Sequence, residues 1–358
     1  MNFASDNAAG VAPEILEAIV RSSRVNAPAY GADDYTRRAE ALLSDVFERP
    51  VVAYLVASGT AANALALGAL TRPWESIFCH EEAHIHDDEC GAPELFTAGA
   101  KLVGIAGEAG KITPKALRET LERFPRGVAK ATQPAALSLS QASEAGTVYR
   151  QDEIAALTAI AREAGLAVHM DGARFANALA STNASPADMT WRAGVDALSL
   201  GATKNGGLAC EAVVFFDPDK AANFPYQRKR GGQTLSKGRF LGAQMEAYLT
   251  DGLWLDLARR ANASATRLSK ALVEAAGARL VWPTDANEVF VAVPTALAST
   301  WRAAGARFHP WTSRSIAPGQ GPREGETLLR LVTSFETSQE EVDALLALAQ
   351  APHARRNS

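Results

Sequence analysis

A lysine and an aspartate occupy similar positions after two apolar segments of this sequence. Lys204 lies in the glycine-rich segment SLGATKNGG, and Asp171 lies in the segment LAVHMDGAR. Each follows a run that is typical of a buried strand, and the carboxyl ends of such strands meet in one crevice of an open α/β sheet. A lysine amine forms a Schiff base with a carbonyl group, and a carboxylate keeps the nitrogen of an aromatic ring protonated.

Pyridoxal phosphate chemistry requires both of these groups, and its phosphate requires an anion site. Ser58, Gly59 and Thr60 connect the apolar segment VVAYLV to an alanine- and leucine-rich helical segment. Backbone N–H groups at the start of such a helix, with two hydroxyl groups beside them, are suited to a phosphate. The turn alone is weak evidence, because similar turns are common. Its weight comes from Asp171 and Lys204, which follow it in the expected order.

Three further side chains are candidates for the same site. His84, in the segment HEEAHIHDDE, could stack on a pyridine ring and accept a proton, or it could belong to a solvated acidic loop. Arg174 follows Asp171 closely and could donate to the cofactor or to a substrate carboxylate. Arg330 interrupts the apolar segment LLRLVTSFE, where a charge is costly unless it is paired. A bidentate contact with a carboxylate would explain it, as would an edge strand that faces water.

Composition argues against several other classes of protein. The 358 residues carry a net charge of -4, and no basic stripe indicates nucleic acid or an anionic membrane as a partner. No apolar segment is long enough to span a membrane, and the first residues do not resemble a signal peptide. The three scattered cysteines are typical of a reducing compartment, which predicts a cytoplasmic protein. No CxxC or HExxH motif is present, so we predict no metal site.

The elements that must position these residues alternate along the chain. Apolar segments separated by helical ones predict a largely parallel sheet with helices on both faces. The predicted strands are 51–56, 77–79, 101–105, 136–139, 166–170, 195–200 and 212–216, and two helices, 13–24 and 33–47, precede them.

The pattern changes after about residue 225. A long helix is predicted over 234–272, followed by strands at 278–281, 289–293 and 328–334 and by helices at 296–304 and 338–348. The segment 310–326 is rich in Gly, Pro and Ser and is predicted to be a loop. We therefore predict a large domain over 1–249, whose first 15 or so residues form an arm near the active site, and a smaller C-terminal α/β domain over 250–358.

Nine segments together resemble the L-threonine aldolases, which share fold type I of the pyridoxal phosphate enzymes with the β-eliminating lyases. They are FASDN, YGADDYT, VASGTAAN, HIHDDE, LSLSQASEAGTVY, HMDGARFANA, SLGATKNGG, KRGGQTLSKGRF and LRLVTS, and they extend over nearly the whole chain. The resemblance implies a transferase-like fold and reversible cleavage of L-threonine, L-allo-threonine and related β-hydroxy-α-amino acids to glycine and an aldehyde. The alternatives are a β-eliminating lyase or aminotransferase of the same fold type, and a relative without activity.

The resemblance also implies a role for each candidate at the cofactor. Lys204 would form the Schiff base, Asp171 would contact the pyridine nitrogen, and His84 would stack on the ring and act near the substrate β-hydroxyl group. The other cofactor contacts would come from Ser58, Gly59, Thr60, Arg174, Thr203, Lys229 and Arg230. Either Lys229 or Arg230 would reach a phosphate in a neighbouring subunit.

At the substrate, the resemblance implies contacts from two subunits. Ser5, Arg174 and Arg330 would bind the carboxylate, while Tyr30 and Tyr35 would line the site across the subunit interface. Active sites shared in this way imply a homotetramer that is arranged as a pair of dimers.

The sequence departs from the family pattern at one position. Several members have a second active-site histidine in a segment like SLENTH, whereas this chain has SLSQAS, with Ser143 at that position. His84 is therefore the predicted base, acting directly or through a water molecule. The preferred aldehyde and the threo or erythro selectivity are left open by the pattern.

Overall fold

The computed structural model describes residues 1–274 and 278–354, and its larger sheet has seven strands. They are β1 (Val52–Val56), β2 (Glu75–His80), β3 (Lys101–Ile105), β4 (Gln133–Ser140), β5 (Ala167–Gly172), β6 (Ala197–Gly201) and β7 (Glu211–Phe215). Their order is β1-β7-β6-β5-β4-β2-β3. The strands from β6 to β3 are parallel, and β7 is antiparallel to both of its neighbours. The predicted, mostly parallel sheet is confirmed.

Helices cover both faces of this sheet. They are α1 (Pro13–Ser23), α2 (Asp34–Val46), α3 (Gly59–Leu70), α4 (His84–Asp87), α5 (Ala92–Phe96), α6 (Pro114–Leu121), α7 (Gln151–Glu163), α8 (Phe175–Thr182), α9 (Phe224–Arg230) and α10 (Arg239–Leu249). Successive strand residues point to opposite faces, and Val213 and Val214 accordingly lie in two different apolar cores. The first core contains Phe47 of the α2 terminus, and the second contains Leu65 of α3 and Phe224 of α9.

The loops after β5 and β6 approach each other closely. β5 and β6 are adjacent, with Asp171 opposite Ser199, and a 3-10 turn, Thr203–Asn205, follows β6. A Cβ atom at Gly201 would lie 2.5 Å from the carbonyl oxygen of Ala173, so only glycine allows this approach. The two loops therefore bring Asp171 and the Lys204 turn to the same edge of the sheet.

A second, antiparallel sheet has four strands in the order β10-β11-β9-β8. The elements of this part are α11 (Leu253–Glu274), β8 (Arg279–Leu280), β9 (Glu288–Pro294), α12 (Thr295–Ala303), β10 (His309–Pro310), β11 (Glu326–Val332) and α13 (Gln339–Ala354). They enclose their own apolar core, which includes Leu268, Val291, Trp301 and Leu331. The smaller α/β part is thus confirmed, whereas the boundary at 249/250 stays a prediction. Residues 275–277 and 355–358 of that predicted domain lie outside the described part.

The single long helix that the sequence predicts over 234–272 is wrong. The chain forms two helices, α10 and α11, separated by a short 3-10 turn, Thr250–Gly252. Asp251 has a φ of 52° and Gly252 a φ of 74°, which is the left-handed conformation that ends helices. The periodicity continues across this turn because both helices bury apolar faces. The strand β10 also lies where a loop was expected to begin.

The first residues of the chain join the smaller sheet. The backbone N–H of Phe3 donates to the carbonyl of Arg307 at 2.8 Å, and that of Val332 donates to the carbonyl of Phe3 at 2.9 Å. The Phe3 ring is fully buried in the core of this sheet. The 3-10 turn Asp6–Ala8 follows and contacts the turn Thr203–Asn205 after β6. Among the described helices, none is long and apolar enough to cross a membrane.

Candidate active site

A cavity of about 520 Å³ lies at the carboxyl ends of the parallel strands, between the two sheets. Its size is within the usual range for small-molecule sites. The predicted residues that line it are Ser5, Gly59, Thr60, His84, Asp171, Arg174, Lys204 and Arg330. A larger and more open cavity of about 1140 Å³ lies at the opposite ends of the strands, and Arg230 is the predicted residue that lines it. The chemistry-bearing side chains therefore converge on the smaller cavity.

Asp171 and Lys204 both line this cavity, as the pairing of β5 with β6 requires. The Asp171 carboxylate is 7% exposed. Its Oδ2 accepts a hydrogen bond from Asn63 Nδ2 at 2.7 Å, and its Oδ1 accepts one from the backbone N–H of Ala173 at 3.0 Å. These two donors fix the orientation of the carboxylate.

His84 lies at the start of α4, directly after the turn that follows β2. Its Nδ1 is 2.9 Å from Glu89 Oε1, and its backbone N–H donates to Glu144 Oε1 at 2.8 Å. The hydrogen bond to Glu89 raises the pKa of His84, and the charge of Asp171 adds to this effect, while burial opposes it. His84 is thus a fixed member of the cavity wall and does not belong to a solvated loop.

Asn63, Glu89 and Glu144 were missed by sequence reasoning, although all three line the cavity. Glu89 lies in the acidic segment HIHDDE, whose composition allowed a solvated loop, and Glu144 lies in the segment LSLSQASEAGTVY. Burial raises the pKa of Glu144 to about 7, and the charge of Asp171 acts in the same direction. Ser140 Oγ donates to Glu144 Oε1 at 2.8 Å. Asn63 is a polar residue within an alanine-rich helical segment, and this contrast is the local feature of the sequence that marks it.

Arg174 lines the cavity with two carboxylates as partners. Its Nε and Nη2 donate to Asp6 at 2.8 and 3.0 Å, and its Nη1 lies 3.3 Å from Glu288 Oε2. Burial alone would lower the pKa of Arg174, but the charges of Asp6, Glu288 and Glu144 and the hydrogen bonds to Asp6 together raise it. Arg174 therefore connects the N-terminal segment, the large sheet and the small sheet.

Arg330 lies on β11, which is an inner strand of the smaller sheet, between β10 and β9. The alternative of an edge strand is therefore wrong. Its guanidinium carbon lies 4.5 Å from the centre of the Trp311 ring, and Nη1 lies 4.0 Å from Glu288 Oε1. Within the described part of the chain, its buried Nε has no hydrogen-bond partner. A buried donor without a partner is costly, and an anionic ligand in the cavity would satisfy it.

The start of α3 forms part of the cavity wall. Ser58 is the N-cap, and its hydroxyl accepts a hydrogen bond from the backbone N–H of Ala61 at 3.3 Å. Gly59 and Thr60 line the cavity, and a Cβ atom at Gly59 would meet nothing within 4 Å. Thr203 lies beside the cavity, where its hydroxyl accepts from the backbone N–H of Cys210 at 3.1 Å. Ser58 and Thr203 are thus chain neighbours of lining residues and do not line the cavity themselves.

Four predicted residues lie away from this cavity in the single chain. The ammonium group of Lys229 lies 5.4 Å from the centre of the Tyr30 ring, and Tyr30 is 57% exposed. The Tyr35 ring lies against the guanidinium of Arg38, at 4.8 Å. Arg230 lines the larger cavity instead. The fold of one chain does not bring these side chains to Asp171 and Lys204.

The donor set fits the cofactor that the sequence predicts. Pyridoxal phosphate needs an amine, an acid for its ring nitrogen and an anion site for its phosphate. Lys204, Asp171 and the open helix start at Gly59 line one cavity. The unpartnered Nε of Arg330 adds a donor for a second anionic group, such as a substrate carboxylate.

Comparisons with known proteins agree with this arrangement. A family described as beta-eliminating lyase matches residues 2–296. A low specificity L-threonine aldolase of Pseudomonas aeruginosa is 40% identical over 343 residues, which cover 96% of this chain and 95% of the relative. Another, from a Pseudomonas species, is 39% identical over 345 residues, 96% of each chain. The solved structure of a Leishmania major threonine aldolase is 27% identical, with a TM-score of 0.90 over 98% of this chain and 99% of that chain. This chain belongs to the beta-eliminating lyase family.

Proposed function

We propose that this chain is a pyridoxal phosphate-dependent aldehyde-lyase of the L-threonine aldolase type. It cleaves L-threonine, L-allo-threonine and related β-hydroxy-α-amino acids reversibly to glycine and an aldehyde. The observation that carries the proposal is the cavity that combines Lys204, Asp171 and His84 in a chain that is 40% identical to a low specificity L-threonine aldolase along nearly its whole length. The second Pseudomonas relative is also named a low specificity L-threonine aldolase, and this favours aldol cleavage over β-elimination or amino transfer.

The cofactor supplies an electron sink for the bond that breaks. Lys204 would provide the amine for its carbonyl carbon, and the Asp171 carboxylate would hold its ring nitrogen. Gly59 and Thr60 offer backbone N–H groups of the first turn of α3 to the phosphate, where the helix dipole favours an anion. The hydrogen bonds from Asn63 and Ala173 keep Asp171 oriented.

The substrate carboxylate binds to Arg330, with Ser5 beside it. The Trp311 ring and Glu288 hold the Arg330 side chain, and its buried Nε is the donor that this structure leaves without a partner. Anchoring the carboxylate fixes the rotation of the substrate about its Cα, and this decides which bond at Cα can break. Arg174 supports the same wall through Asp6 and Glu288.

His84 accepts the proton of the substrate β-hydroxyl group. Its Nδ1 is held by Glu89, so Nε2 is the nitrogen that exchanges a proton. Ser143 does not replace the missing second histidine, because its hydroxyl is bonded to Ala109 O at 3.1 Å and to Thr147 Oγ1 at 2.8 Å. His84 is therefore the group that exchanges the proton of the β-hydroxyl group.

The active protein is a homotetramer, a pair of dimers with active sites at the subunit interface, and it is cytoplasmic. Support for shared sites comes from Tyr30, Tyr35, Lys229 and Arg230, which lie outside the cavity of their own chain. Support for a reducing compartment comes from the three cysteines, all in the described part and all unpaired. Light scattering is expected to give the mass of four chains, and a monomer with full activity would contradict the shared site.

The test of the activity is product analysis. The purified protein, loaded with cofactor, is incubated with L-threonine, and acetaldehyde, glycine, 2-oxobutanoate and pyruvate are measured. We expect acetaldehyde and glycine in equal amounts, and no product from Lys204→Ala, which lacks the amine. Formation of 2-oxobutanoate without acetaldehyde would overturn the aldolase assignment in favour of elimination or deamination.

A further inference from the structure

A continuous chain of hydrogen bonds runs from His84 to Asp171 through Glu89 and Asn63. His84 Nδ1 is 2.9 Å from Glu89 Oε1, and Asn63 Nδ2 is 2.9 Å from the same oxygen. Asn63 Nδ2 is also 2.7 Å from Asp171 Oδ2. All three distances are those of good hydrogen bonds. The imidazole and the acid of the site are therefore connected through one carboxylate and one amide.

This connection is buried. The Glu89 side chain is completely inaccessible to solvent, and Asn63 is 2% exposed, whereas the His84 side chain is 41% exposed to the cavity. In the described part of the chain, the second oxygen of Glu89 has no hydrogen-bond partner. A buried carboxylate is costly unless an opposite charge or donors compensate it. His84 and Asn63 are the groups that do so here.

The shared oxygen has consequences for His84. The ionised carboxylate accepts hydrogen bonds and does not donate them, so Nδ1 of His84 bears the proton when Glu89 is charged. Burial raises the pKa of Glu89, and the hydrogen bonds from His84 and Asn63 act against burial. Asn63 has two N–H groups, and it donates one to each carboxylate, which keeps the Glu89 and Asp171 oxygens apart without adding charge. The orientation of the imidazole thus depends on Glu89, and the orientation of Glu89 depends on Asn63.

We propose that Glu89 is the positioning residue of His84: it fixes the Nδ1–H tautomer and stabilises the imidazolium, while Asn63 anchors the Glu89 carboxylate to Asp171. The inference rests on the proposed function, in which His84 exchanges a proton with the substrate. Glu89 does not exchange protons with the substrate, so its effect on turnover passes through His84.

Several charged groups of the described chain lie around His84. Glu89 contacts the ring, Glu144 contacts the backbone N–H, and the charges of Asp171 and Lys204 act across the cavity with opposite signs. The hydrogen bond to Glu89 has the largest effect on the pKa of His84 and raises it. Replacing Glu89 by glutamine keeps an oxygen that can accept from Nδ1–H and Asn63 but removes the charge. The pKa of His84 then falls.

The experiment is a titration of ¹⁵N-labelled histidine rings by NMR in the holoenzyme and in the protein without cofactor. The chain has six histidines, and the His84 signal is identified by its loss in His84→Gln. We expect the neutral form of His84 to have its proton on Nδ1, and Glu89→Gln to lower the pKa by about one unit or more. The pH limb of kcat that follows His84 is expected to move to lower pH by the same amount.

Two variants separate this role from a general structural one. Glu144→Gln changes a carboxylate of the same cavity that contacts the backbone of His84, and we expect it to leave the ring titration nearly unchanged. Glu89→Asp keeps the charge and is expected to restore most of the raised pKa. A His84 titration in Glu89→Gln equal to that of the unaltered protein would overturn the proposal.

The tautomer is measured on the unaltered protein, so the test remains decisive if Glu89→Gln does not fold. A neutral His84 with its proton on Nε2 would also overturn the proposal. The ring titration and the tautomer are measured without reference to the products formed from L-threonine. A failure of the aldolase activity and a failure of the Glu89 role are therefore seen in different measurements.

Discussion

Asp6 and Arg174 form a buried, two-point ion pair, with Nε and Nη2 of the arginine 2.8 and 3.0 Å from the two carboxylate oxygens. Asn287 Nδ2 donates to the same carboxylate at 3.0 Å. Burial by itself would raise the pKa of Asp6, but the charges of Arg174 and Lys204 and the hydrogen bonds from Arg174 and Asn287 together lower it. The pair thus joins the N-terminal segment, the loop after β5 and the smaller sheet at one side of the cavity.

Asp6→Ala is expected to destabilise the protein strongly. The substitution leaves the buried Arg174 guanidinium with Glu288 as its remaining ionic partner, and breaking a buried pair costs about 3 kcal/mol or more. The free energy of unfolding, measured with a chemical denaturant, is expected to fall by this amount. The control is Asp188→Ala, which removes an exposed ion pair with Arg192 and should change little. Equal effects of the two variants would contradict the structural role of Asp6.

Arg330→Lys is expected to weaken substrate binding. Lysine keeps the charge but loses the fork of donors that binds a carboxylate at two points. A charge-assisted hydrogen bond contributes about 1.5–3 kcal/mol, so the KM for L-threonine should rise about 10- to 100-fold. The visible absorbance of the bound cofactor serves as the control and should persist. An unchanged KM would place the substrate carboxylate elsewhere, for example at Arg174.

Asp171→Asn is expected to separate cofactor binding from turnover. The amide has nearly the same shape, but it lacks the negative charge that holds the ring nitrogen protonated. We expect cofactor absorbance to be retained and kcat to fall about 100-fold or more, as is usual when one preorganised electrostatic contact is removed. Stopped-flow absorbance on mixing with L-threonine measures the loss. Normal kcat in this variant would refute the assignment of Asp171.

Glu211 should make the stability depend on pH. It accepts a hydrogen bond from the backbone N–H of Ala202 at 2.8 Å, and burial raises its pKa from 4.5 to about 7. A folded-state pKa above the unfolded value means that the folded protein binds the extra proton in this window. Stability from this group is therefore present below about pH 4.5 and is lost as the pH rises towards 7.

Glu211→Gln removes that titration. Between pH 5 and 7 its free energy of unfolding is expected to fall less with rising pH than that of the unaltered protein, with a difference of up to about 3 kcal/mol. Denaturant unfolding at several pH values gives both slopes. Identical slopes would show that Glu211 is already ionised at pH 5 in the folded protein.

Local signals predicted most of the large sheet. Each of its seven strands has an apolar run of its own, and a glycine-rich turn around Lys204 follows β6. Such periodicity depends on neighbours in the sequence, so it can be seen without the fold. For the same reason, the break at Asp251 and Gly252 was missed, since the apolar period continues on both sides of it.

The carboxylates of the site could not be predicted in this way. Glu89 belongs to an acidic segment that looks solvated in the sequence, and no local pattern singles out Glu144 or Glu288. In the fold, Glu89 and Glu144 contact His84, and Glu288 contacts Arg174. Their partners lie on other elements, so no local pattern marks them. Arg330 lies on an inner strand because β11 pairs with β9 and β10. These strands are separate along the sequence, so no local pattern predicts that position.

By itself, then, the sequence determined which residues follow which strands, and hence that an amine and an acid reach one edge of a sheet. The tertiary structure alone decided their partners: Asp6 for Arg174, Glu89 for His84 and Asn63 for Asp171. The physical reason is that a buried charge must find its counter-charge in space, and the chain brings that counter-charge from any distance along the sequence.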